Sequence, residues 1–223
     1  MSDKKTKVSV SILSFDFSKM AEELSMLEKS GADWIHLDVM DGAFVPNLTF
    51  GPPLIKKFRP HSSLFFDAHL MIEEPIRYLQ DYVEAGADLI TVHLEACQNL
   101  EETLKAIKKM GIKSGLAIKP ATSVQEYEKY LDYIDLALVM SVNPGFAGQK
   151  FMPSVIAKIK ELDKIRKEKH LGFEIEVDGG VDSSNSCELI HAGADVLVSA
   201  SFISKNKDAS GSYKNPISDL KKN

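Results

Sequence analysis

The chain has 223 residues, 44% of them apolar and 26% charged, with a formal net charge of −5. These proportions suit a globular chain that buries its own core, and they exclude a disordered or collagenous one. The acidic balance argues against nucleic acid or a membrane surface as a partner.

In chain order, the start MSDKKTK is basic but precedes an apolar run of only about eight residues, too short for a secretory leader. Apolar, β-rich runs predict strands over 8–13, 34–39, 64–70, 89–94, 114–119, 136–141, 173–178 and 196–200. Between them lie residues at helical spacing: Met20, Leu24 and Leu27; Ile76, Leu79 and Val83; Leu104 and Ile107; and Val155, Ile156, Ile159, Leu162 and Ile165. Gly-Ala-Asp recurs at 31–33, 86–88 and 193–195, each time between a helical pattern and a strand, and Gly111 stands at a similar point. That reads as a left-handed helix stop, a short turn and a buried strand. Lys158, Lys160, Lys164, Arg166, Lys167 and Lys169 are expected to form a solvated outer helix face, and a last short helix is expected from about Pro216.

Eight such units without a linker predict one (β/α)8 barrel domain over 1–223, strands alternating with helical segments. An open doubly wound sheet is the alternative, but no G-x-G-x-x-G follows the first strand. The uncharged stretch 136–149 holds Asn, Pro and two Gly, which disqualifies it as a membrane span. Cys97 and Cys187 lie far apart with no C-x-x-C pair, a reduced pattern, so a soluble cytoplasmic protein is expected.

A barrel carries its chemistry at the carboxyl ends of its strands. Those ends hold Ser11 and Ser14, His36 and Asp38, His69, His93 and Glu95, Lys119, Met140 and Ser141, Asp178, and Ser199 and Ser201. In His36-x-Asp38, period-two alternation turns both side chains to the same face of the strand. With His69 and Asp178 they make a mixed nitrogen and oxygen set suited to one divalent ion: Zn²⁺, Fe²⁺, Mn²⁺ or Co²⁺. His61, His170 and His191 are expected at the surface. Gly145-Phe146-Ala147-Gly148, Gly179-Gly180 and Ala200-Ser201 follow the last three strands, where backbone N–H groups can cradle a phosphate.

These residues resemble a family. SILSFDF (11–17), HLDVMDGAFVPNLTFGPP (36–53), DAHLM (67–71), VNPGFAGQKF (142–151) and EVDGGV (176–181) are similar to ribulose-phosphate 3-epimerases. The resemblance implies a TIM barrel of the ribulose-phosphate-binding type acting in the pentose phosphate pathway, without an organic cofactor, as a homo-oligomer. It implies His36, Asp38, His69 and Asp178 as metal ligands and Asp38 and Asp178 as the acid/base pair. Ser11 and His69 would touch the sugar, with Met40, Met71 and Met140 around the reacting centre. Gly145, Phe146, Ala147, Gly148, Gly179, Gly180, Ala200 and Ser201 would hold the phosphate. The chain departs from the family pattern at Val10, Phe15, Ala147 and Ala200, and either alanine would be strained if its position required positive φ.

The chemistry so implied is epimerisation at carbon 3 of a ketose phosphate, D-ribulose 5-phosphate to D-xylulose 5-phosphate. A base removes the proton from one face, and an acid returns one to the other. Asp38 is expected as base for ribulose 5-phosphate and Asp178 as acid, with a raised pKa. The loop 143–151 is expected to close over the phosphate. An allulose-6-phosphate 3-epimerase on the same scaffold is the near alternative. A Schiff-base aldolase using Lys119 is a remoter one. A related decarboxylase is disfavoured by the lack of Asp-x-Lys-x-x-Asp.

Overall fold

The computed structural model describes residues 5–222, so the first four residues of the basic start lie outside it. Eight parallel strands close into a barrel in sequential order. They are β1 (Lys7–Ser11), β2 (Trp34–Met40), β3 (Phe65–Met71), β4 (Leu89–His93), β5 (Lys113–Ile118), β6 (Leu136–Met140), β7 (Glu174–Asp178) and β8 (Val196–Ser199). Helices α1 (Met20–Lys29), α2 (Pro52–Phe58), α3 (Leu79–Ala85), α4 (Leu100–Lys109), α5 (Ile156–Glu168), α6 (Ser186–Ala192), α7 (Ser201–Lys205) and α8 (Lys214–Leu220) accompany them. The final helix starts two residues before the expected position. The first strand stops at Ser11, where a 3-10 turn over Ile12–Ser14 takes over.

Alternation sorts the strand residues into two layers. Val8, Val10, Ile35, Leu37, Phe66, Leu70, Ile90, Val92, Leu116, Ile175 and Val177 join the buried layer that includes Leu24 and Leu27 of α1, Leu104 and Ile107 of α4, and Ile159 and Leu162 of α5. Fully burying one such aliphatic side chain stabilises the fold by about 1.5–3 kcal/mol. A second apolar group, Trp34, Leu89, Ala117, Leu136, Leu138, Met140, Val142 and Val196, forms a cluster of its own. The polar residues Ser11, His36, Asp38, Asp67, His69, Thr91, His93 and Glu176 are also buried.

The Gly-Ala-Asp repeat does more than stop helices. Gly31, Gly86 and Gly193 take φ of 87°, 99° and 117°, as a left-handed stop requires. The aspartate that follows each then grips the preceding strand of the barrel. Asp33 N–H donates to Val8 O (3.0 Å) while its carboxylate accepts from Val8 N–H (2.8 Å). Asp88 makes the same pair with Phe66 (2.9 and 2.8 Å), and Asp195 with Ile175 (2.8 and 2.8 Å). Asp135, which enters β6 without the repeat, does the same with Ser114 (2.7 and 2.9 Å). Every even strand is thereby tied at its entry to the odd strand before it, and the orphan backbone groups there are satisfied.

Two expectations need correction. The connection from β5 to β6 contains no α-helix; it runs through 3-10 turns at Val124–Glu126 and Glu128–Tyr133. Val124, Tyr127, Tyr130 and Tyr133 recur every three residues, the period of a 3-10 helix, which turns them to one side. Fully buried Tyr127 fills the gap, its hydroxyl donating to Leu116 O of β5 and Leu138 O of β6. The charged face of α5 is also not wholly solvated. Arg166 is only 12% exposed, contacts Asp163 at 2.8 Å and Asp195, and donates to Gly193 O at 2.9 Å. Lys158 donates to Pro120 O (2.6 Å) and Thr122 O. No helix among the described residues is long and apolar enough to cross a membrane. Cys97 and Cys187 are free thiols, and His61, His170 and His191 are exposed.

Candidate active site

Strand register builds the centre of the site. Asp38 of β2 lies opposite His69 of β3, and His36 lies opposite Asp67 one pleat lower. Across the barrel, β7 supplies Asp178 above Glu176. Ligand atoms of His36, Asp38, His69 and Asp178 all fall within 4.8 Å of one another. His36 Nε2 is 3.5 Å from Asp38 Oδ1 and 3.8 Å from Asp178 Oδ2. His69 Nδ1 is 3.4 and 3.8 Å from the same two oxygens.

The two imidazoles face each other directly, His36 Nε2 to His69 Nδ1 at 3.1 Å. Two lone pairs at that distance repel unless a proton or a cation stands between them. The outer hydrogen bonds push both lone pairs inward. His36 Nδ1 pairs with Asp67 Oδ2 at 2.8 Å, and Asp67 Oδ1 accepts from Thr91 at 3.0 Å. His69 Nε2 pairs with His93 Nε2 at 2.9 Å, and His93 Nδ1 faces Glu95 Oε2 at 3.4 Å. Gly115 is needed in this arrangement, since a Cβ there would collide with Thr91 Oγ1. First-row divalent ions bind such nitrogen and oxygen donors at about 2.0–2.2 Å, so donor atoms around one ion lie at most roughly 4.4 Å apart, close to the limit observed. The residues therefore fit a divalent cation.

The two carboxylates differ in acidity. Burial pushes Asp38 up, but the charge on His36 and the hydrogen bonds from His36 and His69 outweigh it and hold Asp38 well below the usual range. Burial, then the Asp38 charge, pushes Asp178 up to about 6, with the histidines pulling the other way. Burial opposes protonation of His36, yet the Asp38 and Asp67 carboxylates raise it well above its ordinary value. Glu176 is fully buried with neither oxygen hydrogen-bonded; burial first and the Asp67 charge next push its carboxyl well above the usual range.

A cleft opens over this centre. Ser11, Asp38, Met40, Met71, Met140 and Asp178 line its inner end, and Gly145, Phe146, Ala147, Gly148, Gly179, Gly180, Ala200 and Ser201 its outer end. His36 and His69 are fully buried beneath it and do not reach its wall, so His69 faces the carboxylates from below. Ser11 Oγ donates to Asp38 Oδ2 at 2.5 Å, leaving Oδ1 toward the imidazoles. Lys119 does not line the cleft; its ammonium sits 3.9 Å above the Phe44 ring.

The long segment after β2 is a set of braces. Asp41 Oδ1 accepts from Ala43 N–H (2.8 Å) and Phe44 N–H (2.9 Å), and Thr49 both donates to Asp38 O (2.6 Å) and accepts from Met40 N–H (2.9 Å). Asn47 reaches across the mouth to Gly145 O at 2.7 Å. Gln149 bonds back to Asn143 O (2.6 Å) and Phe146 O (2.9 Å), while the Phe146 ring stays 53% exposed. Ala200 has φ −112°, and Ala147 is not among the positive-φ residues, so neither departure from glycine is strained.

Residues not expected at the site also stand there. Leu13, Val142, Val181 and Val198 line the cleft, and Asp67, Thr91 and Glu176 support it. Asp67-x-His69, Thr91-x-His93 and Glu176-x-Asp178 repeat the alternation of His36-x-Asp38, a signal that could have found them.

Sequence comparison relates the chain to known proteins. The model described as Ribulose-phosphate 3 epimerase family matches residues 7–204. Ribulose-phosphate 3-epimerase of Bacillus subtilis is 49% identical over 91% of this chain and 94% of its own. That of Synechocystis sp. is 46% identical over 88% of this chain and 86% of its own. Among solved structures, KGPDC from Streptococcus mutans superposes with a TM-score of 0.74 at 15% identity, covering 97% of both chains, a likeness of fold.

Proposed function

The chain belongs to the ribulose-phosphate 3-epimerase family, isomerases that act on carbohydrates, and on that premise we propose that it interconverts D-ribulose 5-phosphate and D-xylulose 5-phosphate. The observation that carries the reading is the pairing of Asp38 and Asp178, two carboxyls of unequal acidity from β2 and β7 that meet at the inner end of one cleft. Inverting carbon 3 needs one group on each face of the sugar, and strands on different sides of a barrel supply that.

His36 Nε2, His69 Nδ1, Asp38 Oδ1 and Asp178 Oδ2 would hold a divalent cation. Bound there, the ion supplies Lewis-acid stabilisation of the negative charge that develops on the enediolate oxygens. Asp38, the stronger acid, is ionised and takes the carbon-3 proton of ribulose 5-phosphate, oriented by the Ser11 hydroxyl on its second oxygen. Asp178, the weaker acid, delivers a proton to the opposite face, and the roles exchange in reverse. Met40, Met71 and Met140 surround the reacting carbon with polarisable walls that neither donate nor accept strongly. Backbone N–H groups around Gly145–Gly148, Gly179–Gly180 and Ala200–Ser201 hold the phosphate, and the loop carrying Phe146 closes over it.

The test is turnover of ribulose 5-phosphate by Asp38→Asn and by Asp178→Asn. Each is expected to lose at least about a thousandfold in kcat with its circular dichroism unchanged. Near-native epimerisation by either folded variant refutes the two-carboxylate reading.

A further inference from the structure

Glu95 takes no place in the chemistry above, yet it ends a continuous polar line that runs to the reacting centre. Its two oxygens face different partners. Oε1 accepts from the Lys119 backbone N–H at 2.9 Å and from the Thr122 hydroxyl. Oε2 faces His93 Nδ1 at 3.4 Å. His93 is fully buried and presents Nε2 to His69 Nε2 at 2.9 Å, the ring planes inclined by 29° with centroids 5.0 Å apart. Phe44 also lies against His93, ring centroids 5.0 Å apart.

With His69 and His93 both neutral imidazoles, only one proton arrangement satisfies every contact along this line. A carboxylate has no hydrogen to give, so His93 Nδ1 must carry the proton that faces it. His93 Nε2 is then an acceptor, and His69 must donate to it through Nε2–H. His69 Nδ1 is left with a bare lone pair aimed at His36, Asp38 and Asp178. We infer that Glu95 and His93 are positioning residues that set the tautomer of His69 and so keep its Nδ1 available as a ligand. The inference rests on the reading of those four residues as a cation site, and it assigns a task to a pair lying on β4 and in the turn after it.

Glu95→Gln gives a directional test. The Lys119 N–H and Thr122 hydroxyl both demand an acceptor at the Oε1 position, so the amide oxygen settles there and the NH₂ takes the place of Oε2. Facing His93 Nδ1, that NH₂ reverses the line: His93 carries its proton on Nε2, and His69 carries its proton on Nδ1, where it blocks the ligand position. The shape of the side chain is preserved.

The first readout is the imidazole nitrogen spectrum of ¹⁵N-histidine-labelled, metal-free protein. His69 is expected as the Nε2–H tautomer in the native chain and the Nδ1–H tautomer in Glu95→Gln. The second is Co²⁺ affinity by competition with a chromophoric chelator, expected to fall about 10–100-fold in the variant. Nδ1–H on His69 in the native protein, or the same tautomer with Co²⁺ affinity within twofold in the variant, overturns the inference. The native spectrum decides even if the variant folds poorly. Native protein that takes up no Co²⁺, Zn²⁺, Mn²⁺ or Fe²⁺ sinks the cation reading instead, while the tautomer result still judges the relay.

Discussion

Asp67 Oδ2 stands 2.8 Å from His36 Nδ1, and its other oxygen accepts the Thr91 hydroxyl at 3.0 Å. Because Thr91 claims Oδ1, Asp67→Asn would turn its NH₂ toward His36 and move the ring proton to Nε2, the nitrogen facing the ligand set. Metal affinity is expected to fall about 10–100-fold without loss of fold, measured by chelator competition beside a thermal melt. Unchanged affinity would show that Asp67 is merely a buried partner.

The pH dependence of metal uptake follows from the same centre. In the metal-free protein Asp178 loses its proton only at about 6, and His36 holds its proton above its ordinary range. A cation must displace the His36 proton, whereas Asp178 keeps or regains one to serve as the acid. A raised pKa means that the proton competes more strongly as the pH falls, so apparent affinity rises with pH. Below about pH 6 it should change by about tenfold per pH unit for the proton displaced. Calorimetric titration at pH 5, 6 and 7 checks this, and an affinity flat across that range contradicts it.

The phosphate corner depends on a close approach at Gly180. Its φ is 65°, and a Cβ there would lie 2.6 Å from Phe151 N and 2.8 Å from Gln149 O. Gly180→Ala is expected to displace the 143–151 loop and raise KM for ribulose 5-phosphate at least about tenfold, strain of 1–3 kcal/mol being typical. Metal affinity should stay within twofold. Ala200→Gly, at a position whose φ is already −112°, should move KM by less than threefold. Steady-state kinetics on the three proteins separates these outcomes.

The barrel was legible because its signals repeat: helix stop, turn and buried run recur along the chain, with Gly31, Gly86, Gly111 and Gly193 at the left-handed stops. The β5–β6 connection departs from the regular alternation because Tyr127, Tyr130 and Tyr133 are spaced by three, a period that suits 3-10 turns and not an α-helix. Arg166 escaped because a basic residue on an amphipathic helix reads as solvated unless its buried partner, here Asp195, is known. His36, Asp38, His69 and Asp178 stood out as strand-end polar groups. Asp67, Thr91 and Glu176 lie one pleat deeper, where a polar side chain makes sense only once register brings its partner alongside.

The central claim is that two separate carboxyls serve opposite faces of carbon 3. It is tested most directly by following ribulose 5-phosphate in D₂O with Asp178→Asn, its metal content measured on the same sample. Deuterium is expected to enter carbon 3 of ribulose 5-phosphate through Asp38, while xylulose 5-phosphate does not accumulate. Formation of xylulose 5-phosphate at a near-native rate, or with its carbon-3 hydrogen carried over from substrate, would contradict the claim.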